Sequence, residues 1–257
     1  MVDIHCHILP GLDDGPDTLD ESVAMAEQAI ADGVTHIIAT PHANDTYAFE
    51  PDRISRAKDD LLDKIGPRVT LATGCDFHLS YENLKDVAER PQKYTLNQKN
   101  YLLVEFADFS IPPAIDQHLM NLRSSGIRPI ITHPERNGLL RSAPVRMHRW
   151  IEQGCYVQVT ALSFTGRFGP AAQHSAESLL DAGAVHFVAS DAHNTKSRPL
   201  RLREAFQTVA GRRGEETARG LFRENPLAAF EGRPLPFVSE LEELETAPPK
   251  RKRFIFF

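Results

Sequence analysis

The hydrophobic positions fall into short continuous runs, separated by longer stretches with a helical polar pattern. Residues 2–5, 34–40, 69–74, 101–106, 128–132, 156–160 and 185–189 read as seven strands. The runs are apolar throughout rather than alternating, as in strands covered on both faces. Thr18-Leu19-Asp20-Glu21 has the form of a capping box and opens an amphipathic helix to about Asp32, which Gly33 stops. Pro51 starts a second helix that ends at Gly66-Pro67. Helical patterns follow at 114–125, 143–153, 171–182 and 199–223. This alternation predicts a parallel sheet. A strand about every 30 residues suits a TIM-like barrel, with functional groups at its C-terminal rim. No glycine-rich loop follows the first strand, which weighs against a doubly wound open sheet.

The pattern runs without a linker over residues 1–230, which are read as one barrel domain. Residues 231–257 are read as a flexible extension, acidic at 239–246 and then basic-aromatic from Lys250 to Phe257. Its four adjacent basic residues, Lys250 to Arg253, could touch anionic lipid weakly. A net charge of −6 gives no case for nucleic-acid binding. The N-terminus has neither a basic nor an apolar leader region, and no apolar stretch approaches the ~20 residues of a membrane span. Three cysteines, Cys6, Cys75 and Cys155, make no disulfide framework and fit a reducing cytoplasm.

The polar residues at the strand ends carry the chemistry. His5 and His7, two apart on the first strand, can aim at one point. His42 follows the second strand, Asp76 the third, Glu105 ends the fourth, His133 follows the fifth, and Asp191 and His193 the seventh. In a barrel all of these rise to one rim. Histidines and carboxylates crowded there are costly unless they are paired. Divalent metal resolves the conflict, and the donors outnumber what one ion needs. Clustered ions make water acidic and clamp phosphoryl oxygens. Arg136 and Arg198 can add fork-like donors to phosphate. The rim therefore suits hydrolysis of phosphate esters. His78 could reach substrate, and Glu135 could orient a ligand or cap a helix. Asp13 and Asp14 read as turn residues with Gly15. His36, His118, His148, His174 and His186 read as ordinary surface or half-buried residues. Cysteine-based phosphate chemistry is excluded, because the sixth residue after each cysteine is Leu12, Tyr81 or Ala161 instead of arginine.

Asp3-Ile4-His5-Cys6-His7, Leu12-Asp13-Asp14-Gly15-Pro16, Thr40-Pro41-His42, Val104-Glu105-Phe106, His133-Pro134-Glu135-Arg136 and Ser190-Asp191-Ala192-His193 with Arg198-Pro199 together resemble the polymerase-and-histidinol-phosphatase (PHP) superfamily. Within it the chain is similar to the bacterial metal-dependent protein-tyrosine phosphatases of capsular and exopolysaccharide systems. The resemblance implies a distorted seven-stranded barrel with three divalent ions, often Mn2+, with Fe or Zn as alternatives. It implies His5, His7, Asp14, His42, Asp76, Glu105, His133, Asp191 and His193 as ligands, and Arg136 and Arg198 as phosphate contacts. The implied substrate is the phosphotyrosine tail of a membrane-associated tyrosine kinase. Asp76 stands where that family commonly has glutamate. The alternatives are a small-molecule phosphatase, such as one acting on histidinol phosphate, and a metal-binding regulatory module without turnover.

Overall fold

Apolar runs with too little polar surface to face water become parallel strands with helices packed over them. The computed structural model describes residues 1–108 and 110–242. Its strands are β1 Val2–Cys6, β2 His36–Ala39, β3 His42–Ala43, β4 Thr70–Thr73, β5 Asp76–His78, β6 Tyr101–Glu105, β7 Arg128–Thr132, β8 Tyr156–Thr160 and β9 Phe187–Ala189. All pairings are parallel, in one sheet of order β1-β2-β4 and another of order β3-β5-β6-β7-β8-β9. Parallel pairing brings every strand's C-terminal end to the same side.

The count differs from the seven runs of the sequence because two runs are broken. Thr40-Pro41 separates β2 from β3, and Gly74-Cys75 separates β4 from β5. Pro41 has no N–H to give a ladder. Across each break the chain changes partners and passes from the first sheet to the second. A third irregularity lies in β1, where the register against β2 shifts between Asp3 and Cys6. Val2 and Ile4 join an inner apolar cluster with Leu103, Ile130 and Phe187. Cys6 joins the larger cluster between strands and helices. The bulge therefore re-aims the end of β1, as bulges beside functional sites commonly do. The Asp3 carboxylate pins it, accepting from the Ser190 N–H at 2.9 Å and from the Ser190 hydroxyl at 2.5 Å.

The helices largely follow the sequence pattern. Leu19–Asp32 carries the complete capping box, and Pro51–Ile65 begins on its proline. Ser80 caps an additional helix, Tyr81–Glu89, that the apolar pattern does not reveal. The pattern at 199–223 resolves into Arg203–Arg213 and Glu215–Arg219, parted by Gly214 at φ 90°. No helix among the described residues is long and apolar enough to cross a membrane.

The first stretch of the expected extension lies against the body instead of leaving it. Asn225 exchanges hydrogen bonds with the backbone of Phe237, and the Glu242 N–H donates to Ala182 O at 2.9 Å. The basic-aromatic segment 250–257 lies outside the described residues.

His186 is buried, with 4% of its surface exposed, and its Nδ1 accepts the Val157 N–H at 3.2 Å. Burial pushes its imidazole down to about 4. The unfolded chain, titrating near 6.5, therefore binds more protons between these values, and stability rises with pH across that window. Metal-stripped protein should lose about 2–3 kcal/mol between pH 7.5 and 4.5 from this group alone. His186→Asn keeps an acceptor without titrating. Urea unfolding at the two pH values should show that variant losing less by this amount.

Candidate metal centre

The strand ends collect donors because the strands are parallel and end together. His5 lies in β1 and His7 just past it. His42 lies in β3, Asp76 and His78 in β5, and Glu105 ends β6. His133 follows β7, while Asp191 and His193 follow β9. Both His133 and Asp191 hold left-handed backbone conformations, φ 31° and 50°. Such conformations cost about 1–3 kcal/mol each in residues other than glycine and are typical of functional sites.

Asp76 lies at the middle of the group. Its Oδ2 is 3.3 Å from His5 Nε2, 3.3 Å from His42 Nδ1 and 4.0 Å from His7 Nε2. Asp191 Oδ1 lies 3.4 Å from His5 Nε2 and 3.5 Å from His7 Nε2. Glu105 Oε1 is 3.4 Å from His133 Nε2. Asp14 Oδ1, from the loop after β1, sits 3.3 Å from His42 Nε2 and 3.2 Å from His193 Nε2. Five overlapping donor sets result, each with atoms within 4.8 Å of one another: His7-Asp14-His42-His193, His5-His7-Asp76, His5-His133-Asp191, Asp76-Glu105-His133 and His42-His78-Glu105. Both Asp76 oxygens, Glu105 Oε2 and His193 Nε2 are buried without a hydrogen-bond partner. Buried polar atoms are rarely left so, and these nitrogens and oxygens are the donor types divalent cations take. The residues therefore fit a metal centre.

Two residues that sequence reasoning did not assign orient these donors. The Asp13 carboxylate takes His7 Nδ1–H at 2.6 Å and the His42 backbone N–H at 3.1 Å. Gln158 Oε1 lies 3.0 Å from His5 Nδ1. Each contact holds the proton on Nδ1 and leaves Nε2 free to ligate. Gly15 makes the Asp13 contact possible, because a Cβ there would meet His7 O at 2.5 Å. The adjacent Asp13-Asp14-Gly15 was the only available signal, and it reads equally well as a turn. Asp13→Ala should weaken metal binding by about 10–100-fold. Manganese titration of the stripped protein would measure it.

The ionisation states agree with this division. Burial lowers His7 to about 4, helped by the neighbouring His193 and against the pull of Asp13. Burial and the Arg136 guanidinium lower His133 to about 4 as well, so both imidazoles are neutral donors. Burial works against the Asp76 and Asp191 carboxylates, but the adjacent histidines, and for Asp191 the arginines, hold both well below the usual range. His5 shows the same balance reversed. Burial disfavours its charge, yet Asp76 and Asp191 raise it to about 9. Asp76 and Asp191 thus favour a positive charge at this point.

Arg136 and Arg198 converge on one carboxylate. Both pair with Asp191 Oδ2, Arg198 through Nη2 at 2.6 Å. Arg136 also stacks over the Phe168 ring at 4.4 Å. Arg198 Nε has no partner. Glu135 accepts from the Thr160 N–H at 3.0 Å and the Ser163 hydroxyl at 2.7 Å, so it ties β8 to the chain that follows. A cavity of about 520 Å³ opens beside the centre, lined among others by Asn44, Thr46, His78, Ser80, Glu105 and Asp108.

Comparisons with known proteins agree with the motifs. The family described as "Capsular polysaccharide synthesis, CpsB/CapC" matches residues 1–231. Tyrosine-protein phosphatase YwqE of Bacillus subtilis is 37% identical over 220 residues, covering 84% of this chain and 86% of that protein. Tyrosine-protein phosphatase CpsB of Streptococcus pneumoniae is 30% identical over 236 residues, covering 88% of this chain and 96% of that one. A solved chain from the crystal structures of these two, described as unique metal-dependent tyrosine phosphatases, superposes with a TM-score of 0.89 at 34% identity, covering 95% of this chain and all of that one. The PHP-type resemblance read in the sequence is borne out, and the chain belongs to the CpsB/CapC family.

Proposed function

We propose that this protein is a metal-dependent protein-tyrosine phosphatase that acts in the cytoplasm on the phosphotyrosine tail of a membrane-associated tyrosine kinase of polysaccharide export. The observation that carries the reading is the group of buried, partnerless histidine and carboxylate atoms, with two arginines paired to Asp191 on it and an open cavity beside His78 and Glu105. Its ligands are His5, His7, Asp14, His42, Asp76, Glu105, His133, Asp191 and His193, and it takes three divalent ions, Mn2+ by preference. The three regions are His5-His7-Asp76 with Asp191, Asp76-Glu105-His133, and Asp14-His42-His193. Counting β2 with β3 and β4 with β5 makes seven strands. The backbone bonds from Asp191 N to His5 O and from His7 N to Ala192 O, both 2.8 Å, support closure of those seven into a distorted barrel.

Bound divalent ions supply Lewis acidity and a water acidic enough to act as nucleophile near neutral pH. The chain's own residues do the rest. Arg136 and Arg198, each about a quarter exposed beside the buried Asp191, present guanidinium N–H groups to phosphate oxygens. The Asp191 carboxylate holds both guanidinia in place before substrate arrives, so little reorganisation is left for the reaction. The neighbouring cavity receives the tyrosine ring and its peptide. Phenolate, with a pKa of about 10, leaves without needing a strong acid beside it.

Metal-stripped protein reloaded with Mn2+ should release phosphate from a phosphotyrosine peptide, and His5→Ala/His7→Ala should not. Faster release from histidinol phosphate would keep the centre and overturn the substrate. Metal bound with no turnover of either would favour a binding role.

A further inference from the structure

We propose that His78 is a metal ligand, supplying Nε2 to an ion at the cavity-facing oxygen of Glu105. The proposal rests on the metal-dependent reading above. Parallel pairing of β5 with β6 sets His78 directly opposite Glu105. His78 and Asp76 alternate on one face of β5, so both side chains turn toward the same centre. The two oxygens of Glu105 look to different places. Oε1 faces His133 Nε2 at 3.4 Å, while Oε2 is in contact with His78 Nε2 and lies 3.4 Å from His42 Nδ1. The donors of His42, His78 and Glu105 lie within 4.8 Å of one another. Glu105 Oε2 is buried with no hydrogen-bond partner.

His42 cannot serve both sides. A neutral imidazole has one lone pair for ligation, and its other nitrogen carries the proton. His42 directs Nε2 at Asp14, 3.3 Å away, in the set that also holds His193. With Nε2 so engaged, Nδ1 keeps its hydrogen, and the nitrogen available to Glu105 Oε2 is that of His78. His78 is a quarter exposed and lines the cavity together with Glu105. An ion held by these two residues would therefore face the cavity.

The test is Mn2+ titration of the metal-stripped full chain, with free ion followed by EPR, on wild type, His78→Gln, His78→Ala and His5→Ala/His7→Ala. The expected result is one class of bound ion weakened at least about tenfold in both His78 variants. Imidazole added to His78→Ala should restore that class. Wild-type titration curves in both His78 variants, alongside lost binding in the His5/His7 variant, would overturn the assignment and leave the metal centre standing. A weakened class that imidazole does not restore, with a lower melting temperature before any metal is added, would mark a packing role and also overturn it. A wild-type chain that binds no Mn2+ would remove the metal centre and this ligand together.

Discussion

Asp76→Asn should lower manganese-dependent hydrolysis of a phosphotyrosine peptide by about 10²–10⁴-fold, the several kcal/mol that metal-centred charge stabilisation is worth. Asp76 is fully buried, both its oxygens lack hydrogen-bond partners, and three histidines approach Oδ2 within 4.0 Å. It belongs to two donor sets, so its loss strikes two positions at once. Asparagine keeps the shape, removes the charge and turns N–H hydrogens toward groups that would hold cations. Bound manganese per chain should fall with the rate. Asp76→Glu keeps the charge and should stay nearer wild type, although an added methylene in so tight a site costs about 1–3 kcal/mol of stability. Steady-state kinetics with metal analysis on the two variants decides it. Full manganese content and near-normal rate in Asp76→Asn would remove Asp76 from the centre.

Asp191→Ala should cost about 3 kcal/mol of folding stability in metal-stripped protein. This prediction separates a carboxylate that only binds metal from one that also holds the structure. Asp191 is buried, pairs with Arg136 and Arg198 through one oxygen, and lies 3.4 Å from His5 through the other. Removing it strands two guanidinia and leaves the buried His5 imidazole with Asp76 alone as its acidic partner. Losses from breaking buried pairs run to about 3–5 kcal/mol. The lower end applies because each arginine side chain keeps 24% of its surface exposed and can still find water. A carboxylate that only binds metal would leave the stripped protein no less stable when removed. Urea unfolding of stripped wild type and Asp191→Ala measures the difference, and equal midpoints would deny the structural pairing.

Much of the centre was legible because its signals are local. Each candidate ligand but Asp14 closes or closely follows an apolar run, and parallel strands must end on one side. The helix starts at Thr18 and Pro51 were equally plain, since capping chemistry lies within a few residues. Asp13 was hidden because its role depends on Gly15 letting the turn close onto His7. Gln158 was hidden because its partner, His5, is 153 residues away. His78 was visible as a residue near the rim, but its place opposite Glu105 is a matter of register between β5 and β6.

The sequence by itself determined the alternation of strand and helix, the side on which the histidines and carboxylates gather, and the family motifs. These depend on periodicity and on neighbours along the chain. Only the tertiary structure decided that β1 bulges to turn His5 and His7 inward, that two runs break and change sheets, and that Arg136 and Arg198 meet on Asp191. It alone showed residues 232–242 bound back to the body through Asn225 and Ala182. The reason is physical. Register shifts, shared carboxylates and backbone docking are settled by contacts between distant segments, where sub-ångström packing and the pairing of buried charge outweigh local preference.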